Sequence, residues 1–213
     1  MKEEISLKAF EKGFEIAKDL LQKIIAPPVE QIGLLMADQV RYWRFKNQVR
    51  LLEKAHEYIK KKKVEIKEVP LKIIAPLLEG ASLEENESLR EMWVALLVNY
   101  IDSRKHYRSS VFPYILTQIS TEEVRFLELF KNHDTIIDFD DIPLDYEILD
   151  AELSNLVRLG LIRLLPHKLN ISKVDLNWSG DVNEVETEYD MNDLRYELTE
   201  LGWEFIQACK LED

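Results

Sequence analysis

Residues 149–166 read "LDAELSNLVRLGLIRLLP", and residues 196–205 read "YELTELGWEF". The first stretch closes a helix, "YEILDAELSNLVRL" (146–159), at Gly160, where a left-handed cap is expected. "LIRLL" (161–165) then reads as a strand. The second stretch holds a returning strand, "RYELT" (195–199), and leads into a last helix, "LGWEFIQACK" (201–210). Upstream, Ser120 and Glu123 have the spacing of a capping box before the helix "EEVRFLELF" (122–130). "TIIDF" (135–139) is a candidate short strand. Residues 166–193 are polar, with Gly180 at a turn, as in a long hairpin. Helix, helix, strand, long hairpin, strand, helix is the order of a winged helix. Residues 111–213 are therefore read as a winged-helix-like α+β module.

Many winged helices read DNA, but this one carries the wrong charge for it. Readers of the major groove present Arg, Lys, Asn or Gln to base edges and further cations to phosphates. From Leu144 to Leu159 the helix that would do this offers Asp145, Glu147, Asp150, Glu152, Asn155 and Arg158. The hairpin carries Asp181, Glu184, Glu186, Glu188 and Asp190 against Lys168 and Lys173. Residues 111–213 hold 8 Lys+Arg and 23 Asp+Glu, a balance of −15, while residues 1–110 hold 20 and 17, a balance of +3. Together they give the formal charge of −12. An acidic half repels phosphate backbones, and fold alone does not license a DNA-binding reading. Protein contact, or a purely structural cap, is the expectation for this module.

Residues 1–110 read as an all-α module, so the chain as a whole is mainly α. Ile5, Phe10, Phe14, Ala17, Leu21 and Ile25 lie at helical spacing before Pro27-Pro28. A second helical pattern runs from Val29 to about Lys62, with a bend expected at Gly33. "VEIKEV" (64–69) reads as a linker or short extended piece. Pro70 starts a short helix, "LKIIAPLLE" (71–79), expected to kink at Pro76 and to close at Gly80. Leu89, Met92, Trp93, Leu96, Leu97, Tyr100 and Ile101 mark a strongly apolar helix. Between the two, Ser82 is expected to cap the second helix, with Glu85 at the third position. A short helix near 111–118 has Pro113 in its first turn.

"RYWRFKNQVRLLEKAHEYIKKKK" (41–63) is the basic helix of this half. Tyr42, Phe45, Val49, Leu52, His56 and Ile59 share one face and form its core stripe. Trp43, Lys46, Arg50, Lys54 and Lys61 fall on the other, and the Lys60–Lys63 run is expected to fray. Trp43, Lys46, Arg50 and Lys54 are the candidate contact residues. They suit an acidic protein surface, this chain's own C-terminal half included. A nucleic-acid backbone with Trp43 stacked on a base is the alternative; a plain solvated face, with Trp43 packed under a neighbouring helix, is the default reading against both.

Catalytic chemistry finds no foothold in the residues. The histidines, 56, 106, 133 and 167, show no metal-ligand spacing, and there is no phosphate-cradling glycine-rich loop among six glycines. No serine sits in a nucleophile elbow. Cys209, the lone cysteine, is read as buried packing, and it fits a reducing, cytoplasmic compartment. No catalytic residue, metal ligand or cofactor is nominated, which favours a non-enzymatic role. Ile24–Val40, the most apolar stretch, is interrupted by Pro27, Pro28, Glu30 and Asp38 and does not suit a membrane span.

"VPLKIIAPLLEGASLEENESLREMWVALLVNYID" (69–102) resembles the signature stretch of the abortive infection alpha (Abi-alpha) family. Val69, Pro70, Pro76, Leu78, Glu79, Ala81, Ser82, Leu83, Trp93, Leu96, Leu97 and Asn99 carry the match. The flanks resemble the family as well, from about residue 25 to 208. The resemblance implies a bacterial antiviral context, phage resistance by abortive infection, and supplies no catalytic residues. Within the signature, Glu79, Ser82 and Asn99 are a candidate shared site at the turn of a helical hairpin. The expected function is thus a cytoplasmic phage-defence protein acting through contacts with a protein partner (self, host or phage), with no membrane partner. Nucleic-acid binding through 41–63 is the alternative.

Overall fold

A computed structural model describes residues 2–24, 39–130, 136–138, 150–165, 169–176, 179, 182–189 and 195–211. The chain forms two compact units, Met1–Thr121 with Glu204–Asp213, and Glu122–Trp203. It is mainly helical, with a small three-stranded antiparallel sheet. The Pro27-Pro28 stop, the bend at Gly33, residues 146–149 of the predicted helix and the Gly180 turn lie outside the described residues.

The first unit is built on helices α1 (Lys2–Ile24), α2 (Gln39–Lys62), α3 (Leu71–Leu83), α4 (Glu87–Ile101) and α5 (Phe112–Leu116). Helix α2 packs against α1, α3 and α4. Its predicted core residues Phe45, Val49, Leu52 and Ile59 are buried, and the Phe14 and Phe45 rings lie 5.5 Å apart. His56 is half-buried. Helix α4 is buried at every position from Trp93 to Ile101, which explains its run of apolar residues without a polar face. The 64–69 piece is extended: Ile66 bridges Asp102, and the Lys67 amide donates to the Ile101 carbonyl at 2.8 Å. The lysine run does not fray. Lys63 adopts φ 53° and the Val64 amide donates to the Ile59 carbonyl at 3.0 Å, which closes α2 with a left-handed residue as a glycine would.

Two expectations about the α3–α4 hairpin need correction. Gly80 does not end α3; the helix continues to Leu83. Its glycine answers a packing demand: a Cβ there would sit 2.5 Å from Trp93 Cη2 and 2.7 Å from Thr117 Cγ2. Ser82 does not cap α4 either, because it is still inside α3. Asn86 takes that role, its Oδ1 accepting from the Ser88 amide at 2.9 Å and the Leu89 amide at 3.3 Å. The extra turn of α3 moves the cap of α4 four residues along, from Ser82 to Asn86.

The second unit contains most of α6 (Thr121–Glu128), β1 (Ile136–Asp138), α7 (Asp150–Arg158), β2 (Ile162–Leu165), β3 (Leu169–Leu176), β4 (Val182–Tyr189), β5 (Arg195–Leu198) and the start of α8 (Glu200–Ala208). The sheet order is β1-β5-β2, both pairings antiparallel, with β3 and β4 as a separate antiparallel ribbon. Gly160 ends α7 as predicted. At φ 73° its amide donates to Val157, and the Leu161 amide donates to Leu156, the double bond of a Schellman cap. Thr199 caps α8 by accepting from the Gly202 amide at 3.0 Å and also donates to the Gly160 carbonyl at 2.6 Å. Gly202 lets α8 approach β2, since a Cβ would stand 2.1 Å from the Leu161 carbonyl oxygen. Phe126, Phe130 and Tyr196 meet edge-on in the core.

Truncating Trp93 to Ala should destabilise the protein by about 3–5 kcal/mol, as for other buried aromatic deletions. Gly80→Ala is the sharper test. Helix propensity alone favours Ala by ~1 kcal/mol, whereas the contact with Trp93 demands a loss of about 1–3 kcal/mol. Denaturant unfolding that found Gly80→Ala stabilising would refute the close approach.

A buried carboxylate sets a pH dependence. Asp102 is 2% exposed; its Oδ1 accepts from the Arg104 amide (2.9 Å) and Nε (3.0 Å), and its Oδ2 from Nη2 (2.7 Å). The Arg104 side-chain hydrogen bond holds its pKa below the ordinary value, outweighing the upward push of desolvation. A depressed folded-state pKa stabilises above the unfolded value, near 3.9, and the stabilisation is lost as pH falls through the folded value. Asp102→Asn should therefore be less stable than wild type at pH 7, and the gap should narrow only below about pH 4. A constant gap from pH 7 to pH 2.5 in calorimetric unfolding would contradict this.

Candidate functional site

Helix α2 lies across the α3–α4 hairpin and reads it with a row of polar side chains. Arg44 Nε donates to Ser82 Oγ at 3.0 Å, and Arg44 Nη2 stands 3.5 Å from Glu79 Oε1. Asn47 Nδ2 donates to the Ser82 carbonyl at 3.0 Å, and Gln48 Nε2 to the Leu78 carbonyl at 3.1 Å. Ser82 Oγ itself donates to the Glu79 carbonyl at 2.6 Å. Asn47 and Ser82 are buried, and Glu79 is exposed. The Asn47 bond satisfies the Ser82 carbonyl, one of the last carbonyls of α3 that no later helical amide reaches.

Two of the three signature residues, Glu79 and Ser82, thus meet at Arg44. Asn99 does not join them. Its Nδ2 donates to the Ala208 and Lys210 carbonyls, at 2.7 and 2.8 Å, and so closes the C-terminal end of α8. Arg44 and Asn47 went unrecognised among the candidate residues. Their signal was present: Arg44, Asn47 and Gln48 lie at i, i+3 and i+4, a polar stripe on a helix otherwise divided between core and cations.

One turn further along, α2 and α4 enclose a cleft of about 460 Å³. Arg50 and Lys54 of the predicted basic face line it, together with Glu87, Arg90 and Trp93. Lys46 is half-buried and is not among the lining residues, and the side chain of Trp43 lies outside the described residues. Lys54 Nζ donates to Glu87 Oε1, and Arg90 Nη1 to Glu87 Oε2 at 3.0 Å. The hydrogen bond from Lys54 comes first in holding the Glu87 carboxyl below the usual carboxylate range, with smaller pulls from Arg90 and Arg50. Arg90 also ties the loop, donating to the Glu84 carbonyl at 3.1 Å and the Glu85 carbonyl at 2.6 Å.

Cys209 is buried, and burial pushes its thiol far above the ordinary range, so it is not a thiolate nucleophile at neutral pH. Among the described residues no three His, Cys, Asp or Glu side chains gather into a possible metal site. No helix among them is long and apolar enough to cross a membrane.

The fold and cleft define a mainly helical protein with a small antiparallel sheet. The family model described as abortive infection alpha matches residues 44–209. The chain belongs to the abortive infection alpha family. No curated protein and no solved structure matches it.

The Arg44–Ser82 pair generates a direct test. In a double-mutant cycle, Arg44→Ala and Ser82→Ala should show a coupling of about 0.5–1.5 kcal/mol. Strictly additive losses in chemical denaturation would show that the bond contributes nothing.

Proposed function

We propose that this protein acts in phage defence by abortive infection, working through macromolecular contacts and not through catalysis. Its membership of the abortive infection alpha family carries this reading. The contact surface is the α2 face that bears Lys46, Arg50 and Lys54, with Trp43 at its head. A protein partner of acidic surface, from the host, the phage or a second copy, suits that charge. A cytoplasmic setting agrees with the single buried cysteine.

The second unit is proposed to be a winged-helix-like module turned to protein contact. The β1-β5-β2 sheet with the β3–β4 ribbon between β2 and β5 in the chain supports that assignment. Its base-reading chemistry is already engaged. Arg158 Nε and Nη2 donate to Asn155 Oδ1 at 3.0 and 2.6 Å, and Asn155 Nδ2 donates to Glu123 Oε1 at 2.7 Å. Asp150 and Glu152 add negative charge to the same helix.

Two outcomes test these readings. The full-length protein should select no operator from genomic DNA at moderate salt; recovery of one tight sequence would restore the nucleic-acid alternative. Reversing Lys46, Arg50 and Lys54 to Glu should abolish partner capture from phage-infected cells and abolish protection. Stability should change by less than about 0.5 kcal/mol for exposed Arg50, and by more where half-buried Lys46 is reversed and Lys54 loses its ion pair with Glu87. A folded triple variant that still protects cells fully would reduce this face to solvated surface.

A further inference from the structure

The α2–α4 cleft has two features that its own contacts leave unexplained. The first is the indole N–H of Trp93. This residue is 1% exposed and lines the cleft, yet its Nε1 has no hydrogen-bond partner. A buried donor without an acceptor costs about 1–3 kcal/mol, and such a group in a native site is commonly met by a water or a ligand. The second is the imbalance around Glu87. Lys54 and Arg90 both hold its carboxylate, and Arg50, on the same lining, makes no hydrogen bond or ion pair among the described residues. Three cations therefore surround one carboxylate. The other two acids on the lining are placed differently. Glu53 presents its carboxylate to α1, where a Cβ on Gly13 would stand 2.1 Å from its Oε1, and Glu57 is exposed.

We propose that this cleft binds a small phosphate-bearing molecule of nucleotide size, and that the Glu87 carboxylate occupies the phosphate position when the site is empty. Arg50, Lys54 and Arg90 supply the charge-assisted donors that a phosphate takes from a guanidinium fork and an ammonium. Leu51, Ala81 and Val94 give an apolar wall for the organic part, and the Trp93 indole N–H is a donor still without an acceptor. The volume of about 460 Å³ lies within the range of small-molecule sites and exceeds the need of a bare anion. Glu87 can leave at little cost, because its side chain is 61% exposed and an exposed ion pair is weak. Ligand binding would then exchange one anion for another on the same cations. This inference goes beyond the defence reading, and it concerns the purified chain alone.

The test is titration calorimetry on the full-length protein with ATP, GTP and inorganic pyrophosphate as probes. At least one nucleotide should bind, more tightly than pyrophosphate, and less tightly as salt rises. Arg50→Gln should weaken binding about tenfold or more, the value of one charge-assisted bond. Glu87→Gln should tighten it, because the competing carboxylate is gone. Trp93→Phe keeps an aromatic, smaller ring and removes the indole N–H donor, and should weaken binding. Arg50 and Glu87 are exposed, so their variants test the site even where Arg90 or Trp93 variants fold poorly. No binding by any probe at millimolar concentration overturns the proposal. Binding that is indifferent to Arg50→Gln, or weakened by Glu87→Gln, overturns the site. Pyrophosphate binding as tightly as the nucleotides overturns the ligand class. Partner capture from infected cells requires none of these probes, so the two readings fail separately.

Discussion

Trp93 reaches the centre of the helical unit because position 80 has no side chain. The outer edge of its indole lies where a Cβ of residue 80 would be, and the ring is 1% exposed. That approach draws α3 and α4 together, and α2 then closes over both. The surrounding helices bury Leu96, Leu97, Tyr100 and Ile101 behind it. Close packing of this kind leaves little freedom for compensation, because protein interiors are as dense as organic crystals. The signature stretch 69–102 is thus first a packing solution, with Gly80 and Trp93 as its two halves.

The polar chemistry follows from the same arrangement. Once α3 runs on to Leu83, its end faces α2: Asn47 and Gln48 meet the Ser82 and Leu78 carbonyls, and Arg44 meets the Ser82 hydroxyl. Arg90 performs the matching task for the loop that follows. With both ends of the hairpin held, α2 and α4 stand apart just beyond it, and the charged cleft opens there. Structural bonds and the candidate binding groups therefore sit on adjacent turns of the same two helices. A substitution at Arg44 and one at Arg50 should not be expected to report on the same property.

In the second unit the polar side chains of α7 are engaged within the fold. Asn155 and Arg158 are the two side chains on α7 suited to base edges. They are joined to each other and, through Asn155, to the buried Glu123. Freeing Asn155 would cost Glu123 one of the hydrogen bonds that its buried carboxylate accepts.

Much of this was legible in the residues. Apolar spacing marked α1, the core stripe of α2, and α4, because a 3.6-residue period follows directly from helix geometry. Gly160 announced its left-handed cap, and β1, β2 and β5 followed from short β-rich runs between turn residues. The errors share one cause. Gly80 and Ser82 have the composition of a helix end, and local propensity cannot distinguish a glycine needed for backbone freedom from one needed for a neighbour's ring. Lys63 is the converse case, a residue without glycine's freedom that takes the left-handed cap. Asn99 sits beside the signature in sequence, yet its partners are Ala208 and Lys210, more than a hundred residues away. Sequence by itself determined the helical character and the division of charge, since these depend on periodicity and composition, and the family through the resemblance of the 69–102 stretch. Only the tertiary structure decided which polar residues meet, because hydrogen bonds between helices depend on three-dimensional approach and leave no period in the chain.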